Sequence, residues 1–184
     1  MITKRTLTIA QRFLTDYSKL CQENPYFNGY WDSEDNLLTV AKRLKLGRVK
    51  TNHGCYRNVI IFKTFVFKVP RGNDSKRRFQ KEVTWITKMR KTKKYRRHFP
   101  DTRLIKIGKD LLMVQEVVNT NQNGKYHLHE HVENLANQLG IDDCHCENFG
   151  WKGSRGREYP VFFDVEFTVS KHKAHKCRRR SWFV

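Results

Sequence analysis

Asp143 stands five positions before Asn148, and a short apolar run, Val161-Phe162-Phe163, ends at Asp164. Two carboxylates and an amide in this order are side chains that suit phosphoryl transfer. One carboxylate can accept the proton of an attacking hydroxyl. The amide oxygen and the other carboxylate can hold magnesium against phosphates. The surrounding stretch, Ile141-Asp142-Asp143-Cys144-His145-Cys146-Glu147-Asn148-Phe149-Gly150, has a second reading, because Asp and Asn also favour turns. A pattern this short decides nothing by itself, so the elements that would position it must be read next.

Lys68 and Glu82 are the upstream candidates. Lys68 lies in Phe65-Val66-Phe67-Lys68-Val69-Pro70, a strand-like run. Its same-face neighbours Val66 and Pro70 are apolar, which directs the ammonium toward a cleft rather than open solvent. Cys55 to Phe62 and Phe65 to Val69 predict a hairpin about Lys63-Thr64, and a turn at His53-Gly54 predicts a third antiparallel strand. Asp74-Ser75 is expected to cap a helix running to about Met89, with Phe79, Val83, Ile86 and Met89 as its apolar seam. Glu82 is the only acid between Lys76 and Arg97, among eleven basic residues. Two roles are open to it: an intrahelical ion pair worth roughly a few tenths of a kcal/mol, or the partner that fixes Lys68.

Leu104 to Ile107 and Leu111 to Val118 predict two more strands, hinged at Gly108-Lys109-Asp110. Asn119 to Gly124 reads as a polar loop, and His131 to Leu139 as a helix with Val132, Leu135, Ala136 and Leu139 on one face and Gly140 as its stop. Nearer the N-terminus, Leu7, Ala10, Phe13, Leu14, Tyr17, Leu20 and Cys21 predict an amphipathic helix over residues 1–24, ended by Asn24-Pro25. After an aromatic loop (Tyr26, Phe27, Tyr30, Trp31), Asp32 or Ser33 caps a second helix with Leu37, Leu38, Ala41 and Leu44 on one face and Gly47 beyond its end. These two helices are expected to pack on the strands that begin after Arg48, with a partner-binding arm as the alternative.

Strands, a lysine strand, a helix with a glutamate, two strands, a polar loop, a helix, a loop with Asp and Asn, then a strand ending in Asp: in this order the chain resembles the protein-kinase-like superfamily. It is most similar to compact bacteriophage-encoded serine/threonine kinases and the aminoglycoside-phosphotransferase branch, over about residues 46–168. The resemblance implies an α+β, protein-kinase-like fold. An antiparallel five-stranded N-lobe with one long helix would occupy 46–118, and a minimal C-lobe with catalytic and metal loops 119–170. An N-terminal helical extension (1–45) and a basic tail (171–184) would flank them. ATP and Mg2+ are the implied cofactors, and a Ser or Thr on a host protein the implied substrate. Residue by residue, Lys68 matches the lysine that binds the α- and β-phosphates, and Glu82 its ion-pair partner. Gln115-Glu116-Val117 resembles the hinge whose backbone meets adenine. Asp143 matches the catalytic base, and His145 takes the place of the lysine two residues on. Asn148 and Asp164 match the magnesium ligands. The chain departs from the family pattern at several points. Gly54 alone, in Gly54-Cys55-Tyr56-Arg57-Asn58-Val59, stands for the glycine-rich loop. Ile141-Asp142 replaces the usual His-Arg, Val165-Glu166 follows Asp164, and the helical half that docks peptide substrates is expected to be missing.

The chain has 184 residues, of which 38% are hydrophobic and 12% aromatic, enough for a packed core and against wholesale disorder. There are 37 Lys and Arg against 18 Asp and Glu, a formal charge of +19. This surplus attracts polyanions and sets up the competing function: a kinase-derived binding protein, with little catalysis, that engages nucleic acid or an acidic host factor through the basic helix and tail. A small-molecule kinase is a third reading, suggested by His145. Five scattered cysteines, no signal peptide and no membrane-length apolar run predict a cytoplasmic setting (the host cytoplasm, if phage-encoded) and no membrane partner. Cys144-His145-Cys146 with His172, His175 and Cys177 has the residue types of a zinc site, but only one residue separates its first two cysteines. His127-Leu128-His129-Glu130-His131 alternates like a ligand set and is expected on a solvated surface before the helix. Lys171 to Arg180 holds six Lys or Arg and no acid, and reads as a solvated tail or a nucleic-acid clamp with Trp182 and Phe183. Ser181, after three arginines, is a candidate for self-phosphorylation.

Overall fold

The computed structural model describes residues 1–23, 32–53, 56–120, 129–142, 144, 148–154 and 156–164. Two units emerge: residues 1–93 with 100–117, and 94–99 with the chain from 118 onward.

The first unit is built on an antiparallel five-stranded sheet of order β1-β2-β3-β5-β4, with β1 Lys50–His53, β2 Arg57–Ile61, β3 Phe65–Pro70, β4 Thr102–Ile107 and β5 Asp110–Glu116. Each strand sends alternate side chains to opposite faces. Ile60, Phe67, Val69, Leu112 and Val114 lie on one face, where they join Ala10, Phe13, Leu14, Leu37, Val40 and Ala41 from two helices, α1 (Lys4–Glu23) and α2 (Asp32–Arg43). α1 and α2 thus pack on the sheet, as their amphipathic pattern requires. Phe13 meets Phe67 edge-on at 5.0 Å between ring centroids. Thr3 caps α1, its Oγ1 accepting the Thr6 N–H at 3.1 Å. Lys45, with φ of 53°, closes α2: its N–H donates to the Lys42 carbonyl and that of Leu46 to Ala41. The stop is therefore Lys45, two residues before the Gly47 that the sequence offers.

The opposite face is covered by α3 (Gly72–Lys91), through Phe79 and Val83 against Leu111 and Met113. α3 begins at Gly72, before the expected Asp74-Ser75 cap. Its N-cap residue is Arg71, in extended geometry with no side-chain cap. The Arg71 N–H donates to the Tyr56 carbonyl at 2.9 Å, so the hairpin pairing continues to the helix and leaves no room for a longer loop.

The second unit contains a 3-10 turn, Arg96–His98, a helix α4 (His129–Leu139) and a hairpin of β6 (Phe149–Lys152) with β7 (Tyr159–Phe162). α4 buries Val132, Leu135, Ala136 and Leu139. Gly140, with φ of 68°, ends it, and Ile141 donates back to the Ala136 carbonyl. Phe99, Phe149, Trp151 and Phe162 are buried around the hairpin. Among the described residues no helix is long and apolar enough to cross a membrane.

Candidate functional site

Lys68 faces the α3 side of the sheet. It lies opposite Val59 on β2 and Met113 on β5, and is 3% exposed. Arg57, opposite Pro70, is its diagonal neighbour on the same face and is 8% exposed. Glu82 on α3 is 4% exposed, and one of its carboxylate oxygens, Oε2, accepts a hydrogen bond from Arg57 Nη1 in a buried ion pair. Two cations and one carboxylate therefore share an apolar face that Phe79, Val83, Leu111 and Met113 also line. Charges taken out of water persist only when paired and hydrogen-bonded.

Glu82 is thus not a surface helix charge. The resemblance implies Lys68 as its partner; the partner found here is Arg57, which sequence reasoning missed. Its signal was available: Arg57 shares strand parity with Val59 and Ile61, on the face that Lys68 was expected to occupy.

Gln115 is 1% exposed and donates from Nε2 to Thr102 Oγ1 at 3.4 Å. The Glu116 N–H donates to the Asp101 carbonyl at 2.9 Å, and the Val117 N–H to the Thr64 carbonyl at 3.4 Å. The backbone donors of Glu116 and Val117 are therefore engaged within the unit. The Glu116 side chain accepts the Asp101 N–H at 3.3 Å. Asp101 in turn accepts from the Ile2 N–H at 2.9 Å and pairs with Arg103 at 3.2 Å. These bonds tie the end of β5 to the start of β4 and the approach to α1.

In the second unit, hairpin register brings Asn148 and Asp164 together. Phe149 pairs with Phe162, and one step further both the Phe163 and Asp164 N–H groups donate to the Asn148 carbonyl, at 3.1 and 3.2 Å. Asn148 is 8% exposed and Asp164 half-buried. The backbones of an Asn and an Asp thus meet just past the end of the ladder. Their side-chain oxygens are hard donors of the kind magnesium takes.

Gly150 lets residues 118–119 approach β6 closely. A Cβ there would lie 2.4 Å from the Asn119 carbonyl oxygen and 2.6 Å from Val118 Cγ1. The close approach lets the Trp151 N–H donate to Asn119 at 2.7 Å. His98 fixes the other edge. Its Nδ1–H donates to the Pro160 carbonyl at 2.9 Å, and its Nε2 accepts from Arg97 Nε at 3.1 Å. Both contacts suit the neutral ring, and burial pulls its pKa below the ordinary histidine value.

Asp143, His145 and Gly54 lie outside the described residues, as do Cys146, His172, His175, Cys177 and Ser181. Cys144 is half-buried and is in no disulfide among the described residues. Among the described residues no group of three or more His, Cys, Asp or Glu is placed to hold a metal. His129 and His131 open α4 rather than preceding it: the Glu130 carboxylate favours the positive end of the helix, and the first turn forms two residues early. His129 meets Phe149 edge-on at 5.9 Å. Comparison of the chain with family models, with curated proteins and with solved structures returned no match.

Proposed function

We propose that the chain is a magnesium- and ATP-dependent phosphotransferase of the protein-kinase type, acting on a Ser or Thr hydroxyl of a protein. The observation that supports this reading is the backbone contact of Asp164 with Asn148, which brings these two residues together across the end of the hairpin, Asn148 standing five positions after Asp143 in the sequence. Support comes also from the buried Lys68 and Glu82, on one face of the five-stranded sheet and on the helix that covers that face.

In this reading Lys68 binds the α- and β-phosphates. Glu82, braced by Arg57, keeps that region of the face from carrying only positive charge. Asn148 and Asp164 hold Mg2+, which neutralises phosphate charge when bound. Asp143 accepts the proton of the attacking hydroxyl, with His145 beside it. Gly54 is assigned to the phosphates, and the Gln115-Glu116-Val117 segment to adenine. Since the N–H groups of Glu116 and Val117 donate internally, the segment would contact the ring through other atoms.

The test is transfer of the labelled γ-phosphate of ATP to a mixed protein substrate, with magnesium and with chelator. Magnesium-dependent labelling that Asp143→Ala abolishes, with far-UV circular dichroism unchanged, is the expected result. Equal labelling by that variant removes Asp143 from its role.

A further inference from the structure

The outer face of α3 carries a feature that the phosphotransferase reading does not use. Arg77, Gln80, Lys81, Thr84, Trp85 and Lys88 line an open depression of ≈ 330 Å³. At three- and four-residue intervals they form one helix face, turned away from the buried Phe79, Val83 and Ile86. The surface within is mainly carbon, from the half-buried Trp85 and the stems of the cations.

Three other cations of the same helix are engaged elsewhere. Lys76 lies 3.8 Å from Asp110, Arg90 lies 3.7 Å from Asp101, and Arg78 sits over the Tyr56 ring at 4.3 Å. Among the described residues, Arg77, Lys81 and Lys88 have no carboxylate within 4.0 Å. They stand in a segment, Lys76 to Arg97, whose only acid, Glu82, is turned inward. With the helix rising about 1.5 Å per residue, these three charges are spread over roughly 16 Å of one face.

We propose that this face binds single-stranded nucleic acid. A base stacks on Trp85, and successive phosphates meet Arg77, Lys81 and Lys88, with Gln80 and Thr84 as hydrogen-bonding groups at the edge. An acidic peptide would satisfy the cations but has no flat ring system for the indole. A duplex keeps its bases stacked away from it. This inference is independent of the phosphotransferase reading.

The test is fluorescence anisotropy of a labelled oligothymidylate, run across a salt series against a duplex and a polyglutamate peptide. The full chain should prefer the single strand. Arg77→Ala/Lys81→Ala/Lys88→Ala should reduce the salt slope of log affinity by about 2, since each single-strand phosphate contact contributes about 0.7. Trp85→Leu keeps apolar volume but removes the aromatic face, and should weaken binding by roughly 5- to 150-fold. Trp85→Phe should retain most of the affinity. Lys42→Ala/Arg43→Ala, exposed cations at the end of α2, should change binding less than about twofold. The proposal is overturned if that control loses as much as the α3 triple variant, if Trp85→Leu binds like wild type, or if polyglutamate outcompetes the oligonucleotide. Should Trp85→Leu lose helical signal, Trp85→Phe, the triple variant and the α2 control decide the matter.

Discussion

Removing Glu82 should be worse for the fold than removing Arg57. Glu82→Ala deletes the carboxylate of a face that buries both Arg57 and Lys68. Arg57→Ala leaves one cation, Lys68, with the same carboxylate. Breaking a buried pair by deleting one partner costs about 3–5 kcal/mol, and Glu82→Ala is expected at or above the top of that range. Arg57→Ala is expected at or below its lower end. For a chain of this length each kcal/mol lowers the melting temperature by about 2–4 °C, so Glu82→Ala should melt roughly 10–20 °C early. The double variant Arg57→Met/Glu82→Leu should be more stable than the sum of the single changes by about 2 kcal/mol, because one buried cation, Lys68, rather than two, is left on the face without the carboxylate. The assay is thermal and denaturant unfolding followed by circular dichroism. Additive effects within about 0.5 kcal/mol, or Arg57→Ala proving worse than Glu82→Ala, would refute the reasoning.

Protonating His98 should loosen the clip between residues 95–99 and β7. Its folded pKa is lowered, so the unfolded chain takes up the proton first as pH falls. Stability should be full above the ordinary histidine value and decline below about 6.5. Melting curves from pH 8 to 5 should show the decline, and His98→Gln should flatten it. Gly150→Ala should cost about 1–3 kcal/mol, because the new methyl meets the backbone carbonyl of Asn119. Its thermal melt should drop together with ATP-dependent labelling, and a wild-type melt would rule out the steric account. Phe13→Ala should destabilise the first unit by about 3–5 kcal/mol, measured by denaturant unfolding; a loss below about 1 kcal/mol would place Phe13 outside the α1–sheet core.

Periodicity carried most of the fold. The run of β-branched and aromatic residues from Phe65 to Val69 and the three- and four-residue spacing of Phe79, Val83 and Ile86 located β3 and α3, the first buried on both faces and the second on one. Turn chemistry was less legible. A lysine in the left-handed region ends α2, and no local propensity points to Lys45 over Gly47. Arg57 was legible only in part: strand parity puts it on the Lys68 face, but its burial depends on a helix that begins fifteen residues further along. The Asn148–Asp164 contact was readable only in part. The sequence offers both residues, but their backbone adjacency depends on hairpin register, which no local propensity fixes.

The proposed phosphotransferase function requires binding of magnesium-ATP, with Lys68 and Asp164 each needed for it. It is tested most directly by the melting temperature of the chain with ATP, with and without Mg2+. At a hundred times the dissociation constant, bound nucleotide should stabilise by about 2.7 kcal/mol, a rise of roughly 5–10 °C. That rise should require magnesium and disappear in both Lys68→Met and Asp164→Ala. A magnesium-independent rise, an unchanged melt in wild type, or a full rise in either variant would contradict it.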